Sequence, residues 1–302
     1  MQRIFVVTGL QRSGNHAVQD WIGSLFESRF FYNNQPHDLF SNLDHVQMLQ
    51  NEARHAACII FSFEDCVNHS TDPKALILDD VAPVPPALAD GTPVRPLWIL
   101  RDPYNTWASR IAARERVRRN GDDLTSDPSW ELFRANWLTI AELYETRPND
   151  FILYNLWRKS PKYRCHVCNN LGGSYNEATL ERVPTYGRGS SFDGNSRPTY
   201  RDIMRNLDRY LSPKFLRLVR RNPYSYLQRL IKPPLNAARL QVDERWRFLL
   251  EHPEGKKVLN DDAIRAASLK IFGFAVSPEG TSCRTTPVDE TVAGASVARA
   301  AG

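Results

Sequence analysis

The chain has 302 residues and a formal net charge of +5, and 42% of its residues are apolar, which is enough to bury one large α/β core. Its apolar runs fall far short of the roughly 20 residues that span a bilayer, and the sequence opens on a strand pattern instead of a signal sequence. We therefore expect a soluble cytoplasmic protein whose positive charge suits an anionic ligand, although net charge alone does not separate a nucleotide from a nucleic acid or a membrane surface.

The first predicted elements are a buried strand, a turn and a helix. Residues 4–7 form a short apolar run that ends at Thr8 and Gly9, which is typical of a strand inside a sheet. After the turn, apolar residues recur at the spacing of a helix that packs one face on a sheet: Val18, Trp21, Ile22, Leu25 and Phe26.

The turn at residues 9–16 has the composition of an anion-binding loop, because backbone N–H groups there and the positive end of the next helix can cradle an anion. Its two glycines have the spacing of the nucleotide P-loop, G-x-x-x-x-G-K-[ST], but Asn15 and His16 stand at the last two positions. The loop offers Arg12 instead, whose planar donor fork suits phosphate or sulfate. A glycine turn that merely joins strand to helix is the alternative.

Further strands are predicted along the chain, with helical patterns between several of them, at residues 30–32, 58–61, 75–78, 97–100 and 151–154. This alternation favours an α/β fold with a mainly parallel central sheet and helices on both faces. Ligands of such sheets bind at the carboxyl ends of the strands. We therefore expect the chemistry in the loops that follow these strands.

A second motif follows the strand predicted at 97–100. Arg101 comes directly after it, Asp102 and Pro103 form a helix start, and Ser109 lies eight residues after the arginine. An arginine at the carboxyl end of a strand and a serine on the next helix can converge on one phosphate. The alternative is that Asp102 caps the helix and Arg101 makes a surface ion pair.

The remainder of the chain is predicted to be largely helical. One helix is expected to start with Asp127 as N-cap and Pro128 as its first residue. Its apolar stripe is interpreted as core: Trp130, Phe133, Trp137, Ala141 and Tyr144. Residues 199–275 are expected to be mostly helical and to complete a domain of residues 1–275, and residues 276–302 are expected to be a disordered tail.

The five cysteines are an odd number, which fits a reducing compartment better than a disulfide framework. Cys165 and Cys168 are the only close pair. Since a second pair at zinc-ligand spacing is missing, ordinary thiols are favoured over a zinc site.

The two motifs, in this order, resemble the phosphate-binding segments of the sulfotransferases that use 3′-phosphoadenosine 5′-phosphosulfate (PAPS). Residues 12–14 are similar to the family's 5′-phosphosulfate loop, K/R-[ST]-G-T-T, with Asn15 and His16 in place of the two threonines. Residues 101–109 are similar to its 3′-phosphate motif, R-[DN]-P-x-x-x-x-x-S. The resemblance implies a P-loop nucleotide-hydrolase-like fold and PAPS as cofactor with PAP as product. We expect no metal requirement, because Asn15 and His16 replace the lysine and the magnesium-binding hydroxyl of a nucleotide kinase.

The resemblance also implies a set of cofactor-binding residues. Around the 5′-phosphosulfate these are Gln11, Arg12, Ser13, Gly14, Asn15 and His16, and at the 3′-phosphate they are Arg101 and Ser109. Tyr154 and the later residues Ser190, Ser191 and Phe192 occupy the order of the family's other nucleotide-contacting segments, with an ordinary glycine and serine loop as the alternative around 190. For catalysis we expect Arg12 to stabilise the leaving phosphate, and Glu64 to accept the acceptor's proton, with His37 as the alternative base.

The implied reaction is transfer of a sulfuryl group from PAPS to a hydroxyl or amine of a carbohydrate, a lipid-linked saccharide or a small metabolite. Contact with a membrane surface is expected if the acceptor is lipid-linked, and no nucleic-acid partner is expected. Two alternatives stay open. One is a P-loop kinase or nucleotidase, although the loop lacks the lysine and the magnesium-binding hydroxyl of such enzymes. The other is a non-catalytic protein that retains the nucleotide pocket.

Overall fold

A five-stranded parallel sheet forms the centre of the structure, a computed structural model that describes residues 2–32, 39, 42–64, 91–119, 129–177 and 243–284. The strands of this sheet are β1 (Arg3–Gly9), β2 (Arg29–Tyr32), β3 (Cys58–Glu64), β4 (Val94–Leu100) and β5 (Phe151–Leu153). The helices are α1 (Asn15–Ser24), α2 (Leu43–Glu52), α3 (Pro103–Arg119), α4 (Trp130–Thr146), α5 (Tyr154–Lys159), α6 (Pro161–Leu171), α7 (Arg247–Glu251), α8 (Gly255–Leu259) and α9 (Asp262–Phe272). A two-stranded hairpin, β6 (Phe274–Val276) and β7 (Ser282–Arg284), follows.

The central sheet has the order β2-β3-β1-β4-β5, and each neighbouring pair is parallel. The prediction of an α/β fold with a parallel central sheet and surrounding helices is therefore confirmed. The strand predicted at 75–78, and most of the helical part predicted from residue 199, lie outside the described residues.

Both faces of the sheet are covered, because successive side chains of each strand point to opposite sides. On β1, Phe5 and Val7 belong to the apolar cluster that contains Trp21 and other residues of α1. Ile4 and Val6 belong to the cluster that contains the buried residues of α3 and α4. The apolar stripe predicted for α4 is thus part of the core, with Tyr144 packed partly buried at its margin.

The connections place a crevice at the carboxyl ends of β1 and β4. The chain leaves β1 through α1 towards β2 on one side, and it leaves β4 towards β5 on the other side. Helices α1 and α3 therefore begin at neighbouring strand ends but pack on opposite faces of the sheet. Such a reversal point is where open α/β sheets bind ligands.

Two predicted boundaries need correction. The helix expected to start with Asp127 has its N-cap at Ser129, whose side chain accepts a hydrogen bond from the Leu132 amide. Serine caps helices as well as aspartate does, so the Asp-Pro pattern led to a predicted start two residues too early. The strand expected to include Tyr154 ends at Leu153, and Tyr154 is the first residue of α5.

The predicted disordered tail also starts too early. Residues 282–284 form β7, which pairs antiparallel with β6. The hairpin closes through bonds from the Gly280 amide to the Ser277 carbonyl and from the Ser277 amide to the Thr281 carbonyl, and Gly280 has a φ of 81°. Glycine adopts such a turn conformation without steric cost. The remainder of the tail lies outside the described residues.

Burial favours the protonated form of the described cysteines of the core. Burial raises the pKa of Cys58 to about 12, and it also raises the pKa of Cys168. Within the ranges that the structure describes, no group of three or more His, Cys, Asp or Glu residues is arranged to hold a metal ion. Among the helices in those same ranges, none has the length and hydropathy to cross a membrane.

The first prediction concerns the contribution of the core under α1. Ile60 of β3 is fully buried in the apolar cluster that also contains Trp21 of α1, whereas Met48 of α2 is 48% exposed. Ile60→Ala leaves a cavity, so we expect the free energy of unfolding in urea to fall by about 2–5 kcal/mol. Met48→Ala is the control and should change it by less than about 0.5 kcal/mol. Equal losses in the two variants would contradict the described packing.

Candidate functional site

Four chain segments meet at the carboxyl edge of the sheet. Gly9, the last residue of β1, is level with Glu64 on one neighbouring strand and with Ile99 on the other. The loop after β1 therefore lies between the end of β3 and the turn after β4. The start of α5, after β5, completes the group. These are the loops in which the sequence predicted the chemistry.

The loop after β1 is folded around the Leu10 carbonyl. This oxygen accepts hydrogen bonds from the Ser13 amide at 3.1 Å and from Asn15 Nδ2 at 3.2 Å. The Ser13 hydroxyl lies 2.6 Å from it and 2.7 Å from Asn15 Oδ1. Both side chains are almost fully buried. In this structure the side chains of Ser13 and Asn15 thus fix the loop.

The end of this loop presents the positive end of α1. Gly14 is the N-cap, in a left-handed conformation with a φ of 93°, and it has no side chain with which to cap the helix. The first turn of α1 also contains no acidic residue. The N-terminus of a helix attracts anions through its amides and its dipole. The geometry therefore suits an anion in front of α1.

Arg12 has an unusual backbone conformation. With a φ of 70°, it is the one non-glycine residue in the described ranges that has a positive φ. Such a conformation costs of order 1–3 kcal/mol and persists where surrounding bonds hold it. Here the Arg12 carbonyl accepts a hydrogen bond from Arg101 Nη1 at 3.0 Å. The two predicted phosphate-binding motifs are thus joined directly.

Arg101 is held on several sides. Its side chain is only 3% exposed, and its guanidinium lies 5.0 Å from the centre of the Tyr154 ring. Trp137 Nε1 donates to its carbonyl at 2.9 Å. The alternative that Arg101 makes a surface ion pair is therefore wrong, because the residue is buried. The contact with Tyr154 is a cation–π interaction, which strengthens when water is excluded.

Tyr154 also contacts the first loop. A Cβ atom added to Gly14 would lie 2.1 Å from Cε2 of the Tyr154 ring. The ring thus lies close both to the helix start of α1 and to the guanidinium of Arg101. The structure brings three predicted site residues together here, namely Gly14, Arg101 and Tyr154.

Asp102 fixes the turn after β4. It is fully buried, and its carboxylate accepts from the Asn105 amide at 2.8 Å and from Asn155 Nδ2 at 2.8 Å. Its own amide donates to Asn155 Oδ1 at 3.1 Å. The expectation that Asp102 caps the helix is confirmed. Asn155 was missed by the sequence reasoning, since nothing local distinguishes it from any other asparagine.

Glu64, the predicted base, lies at the edge of the first loop. Its Oε1 accepts from Asn15 Nδ2 at 3.2 Å and lies 3.3 Å from His16 Nδ1. The structure therefore places a carboxylate and an imidazole side by side at the start of α1.

Of the other predicted site residues, Ser109 and Gln11 lie in the described part of the chain and the rest do not. Ser109 is 3% exposed on α3, and the described contacts contain no hydrogen bond between it and Arg101, so their convergence on a phosphate stays a prediction. Gln11 is half-buried in the first loop. His37 and the segment with Ser190, Ser191 and Phe192 lie outside the described residues.

The arrangement offers fixed cations and helix-end amides for anions, beside a carboxylate and an imidazole for proton transfer. Arg12 and Arg101 are permanently charged, and the amides at the start of α1 need no reorganisation. Neither a scan against protein-family models nor a search of curated proteins finds a match to this chain.

The second prediction tests the contact between Gly14 and Tyr154. Gly91 also has a positive φ, of 79°, but an added Cβ there would meet nothing within 4 Å. Gly91→Ala should therefore cost only the backbone strain, about 1–2 kcal/mol of unfolding free energy. Gly14→Ala adds the overlap with the ring and should cost about 1–3 kcal/mol more.

A double variant separates the two contributions to the Gly14 effect. Tyr154→Ala removes the ring, so adding Gly14→Ala to Tyr154→Ala should cost about as much as Gly91→Ala costs in the unchanged protein. Urea unfolding of the five proteins measures this. If Gly14→Ala and Gly91→Ala lose the same stability, the described contact is wrong.

Proposed function

We propose that this chain transfers a sulfuryl group from PAPS to a hydroxyl or amine acceptor. One observation carries the proposal: Arg101 Nη1 donates to the Arg12 carbonyl at 3.0 Å, so the two motifs that resemble PAPS-binding segments belong to one site. A ligand that has anionic groups at two separated positions suits such a site better than one with a single anionic group. PAPS carries a 5′-phosphosulfate and a 3′-phosphate.

The 5′-phosphosulfate is assigned to the loop after β1. The uncapped start of α1 and the half-buried Arg12 would neutralise its charge. The 3′-phosphate is assigned to the side chains of Arg101 and Ser109. Because Asp102 already occupies the N-cap of α3, the end of that helix contributes less to the 3′-phosphate than these side chains do.

Catalysis would be mainly electrostatic. Sulfuryl transfer resembles phosphoryl transfer, since both need in-line positioning and stabilisation of the charge that develops on the leaving oxygen. Arg12 and the first amides of α1 would stabilise the leaving 5′-phosphate of PAP. The acceptor's proton must pass to a base, and Glu64 and His16 are the neighbouring titratable pair at this edge.

The resemblance favours a carbohydrate, a lipid-linked saccharide or a small metabolite as the acceptor. Tyr154 would contribute a ring beside the cofactor site, and the segment with Ser190, Ser191 and Phe192 keeps its proposed role in nucleotide contact.

The third prediction tests the cofactor. PAP should bind much more tightly than 5′-AMP, since only PAP has a phosphate for Arg101 and Ser109. Arg101→Ala should weaken PAP binding by about 2–4 kcal/mol, the usual effect of removing one partner of a charged hydrogen bond. Isothermal titration calorimetry measures both differences.

Arg54 provides the control for this experiment, because it is exposed and lies near the start of β3, at the opposite edge of the sheet. Arg54→Ala should bind PAP like the unchanged protein. Unfolding curves recorded alongside show whether Arg101→Ala is folded. If it is not, Arg101→Lys replaces it in the binding experiment, because lysine retains the positive charge. Equal affinities for PAP and 5′-AMP would remove the 3′-phosphate assignment.

The fourth prediction concerns metal dependence. Asn15 and His16 occupy the positions at which a nucleotide kinase has its lysine and its magnesium-binding hydroxyl. Transfer of labelled sulfate from PAPS should therefore proceed at the same rate after treatment with EDTA. Loss of activity that added magnesium restores would instead favour a phosphoryl-transfer enzyme, and ATP binding measured in parallel would identify it.

A further inference from the structure

One pair of titratable side chains at the site has a geometry that cofactor binding alone does not require. His16 Nδ1 lies 3.3 Å from Glu64 Oε1, with the imidazole 25% exposed and the carboxylate 11% exposed. Asn15 Nδ2 donates to the same oxygen at 3.2 Å. The first two residues of α1 therefore both contact the carboxylate at the end of β3.

The distance of 3.3 Å between His16 Nδ1 and Glu64 Oε1 favours the form of the imidazole that carries its proton on Nδ1. An ionised carboxylate only accepts hydrogen bonds, so Nδ1 must be the protonated nitrogen when it bonds to Glu64. In a neutral imidazole the other nitrogen, Nε2, is then the basic one. A carboxylate that orients an imidazole in this way is the usual partner of a histidine base.

The same contacts make Glu64 the weaker proton acceptor of the pair. The hydrogen bond from Asn15 and the nearby Nδ1 of His16 favour the ionised carboxylate, so adding a proton to it weakens these interactions. Among the described residues, the charged groups on neighbouring elements include Arg12, Arg101, Asp102 and the ion pair of Asp20 with Arg29.

We propose that His16 is the catalytic base of the proposed transfer and that Glu64 is a positioning residue that acts through it. This inference rests on the proposed function. His16 Nε2 takes the proton of the acceptor hydroxyl, and the electron pair of that O–H bond forms the new O–S bond. The S–O bond to the 5′-phosphate breaks, and its electron pair leaves with PAP. Glu64 stays ionised and stabilises the imidazolium until the proton passes to solvent.

The fifth prediction first concerns which ring nitrogen of neutral His16 carries the proton. In the full chain labelled with ¹⁵N, long-range ¹H–¹⁵N correlation spectra distinguish the two neutral forms of each histidine. We expect the His16 signals, assigned by their loss in His16→Gln, to show the proton on Nδ1. A proton on Nε2 in the neutral form would overturn the proposal, and this reading needs neither cofactor nor acceptor.

Transfer rates provide the second reading. The donor is ³⁵S-labelled PAPS, and the acceptors are a panel of methyl glycosides and glucosamine, with release of free sulfate recorded for water as acceptor. His16→Gln should lower the rate about 10²- to 10⁴-fold, while the affinity for PAP changes only a few-fold. Added imidazole should restore part of the rate of His16→Ala. His45→Gln, an exposed histidine of α2, is the control and should match the unchanged protein.

The role of Glu64 is tested by a double variant and by the pH profile. Because Glu64 acts through His16, adding Glu64→Gln to His16→Gln should cause no further loss, whereas Glu64→Gln alone should lower the rate. In Glu64→Gln the acid limb of the pH–rate profile should move to lower pH, since the carboxylate no longer stabilises the imidazolium.

The outcomes separate the two proposals. If the unchanged protein transfers sulfate but His16→Gln keeps its rate within about tenfold, the base is another group and this inference is wrong, while the proposed function stands. Full additivity of the two substitutions would likewise overturn it. If the unchanged protein neither binds PAP nor releases sulfate from PAPS, the proposed function itself fails, and the assignment of His16 as its base fails with it.

Discussion

The hydrogen bond between the Arg101 guanidinium and the Arg12 carbonyl connects the two loops on which the site depends. Each partner alone would lower the stability of the fold, since Arg12 has a left-handed backbone and Arg101 is a buried positive charge. Together they offset these costs, because the carbonyl gives the guanidinium an acceptor and the guanidinium fixes the strained peptide. Charged groups fixed in this way before a ligand arrives stabilise developing charge efficiently.

The register of the sheet makes this bond possible. β1 lies between β3 and β4, and Gly9 is level with Glu64 on one side and with Ile99 on the other. Three strands therefore end at the same height, and their following residues meet across one edge. A shift of one pair of strands by two residues would move Glu64 or Arg101 by about 6–7 Å along the strand direction and separate the groups.

The sequence predicted the features that depend on local pattern. The apolar runs identified all five strands of the central sheet to within three residues at their starts and ends. The Asp-Pro pair at residues 102 and 103 was sufficient to suggest a cap, because the cap contact, from the Asn105 amide, lies within the first turn of the helix. The two motifs also lie together at one edge of the sheet.

The missed contacts are those between distant parts of the chain. The partners of Asp102 include Asn155, and the ring against Gly14 belongs to Tyr154. These pairs depend on the strand order, in which β5 lies beside β4, and no local pattern encodes that order. The proximity of His16 to Glu64 was missed for the same reason, since it follows from the pairing of β1 with β3.

The packing of Tyr154 on Gly14 also bears on how this sequence can change over evolutionary time. The space at position 14 is occupied by the ring of Tyr154, which follows the edge strand β5, so the two positions are not free to vary independently. A side chain at 14 becomes tolerable only after the ring at 154 has been lost, and losing the ring removes the aromatic face beside Arg101. Relatives of this chain should therefore inherit the two positions as a correlated pair, and a relative that keeps Arg101 should keep both.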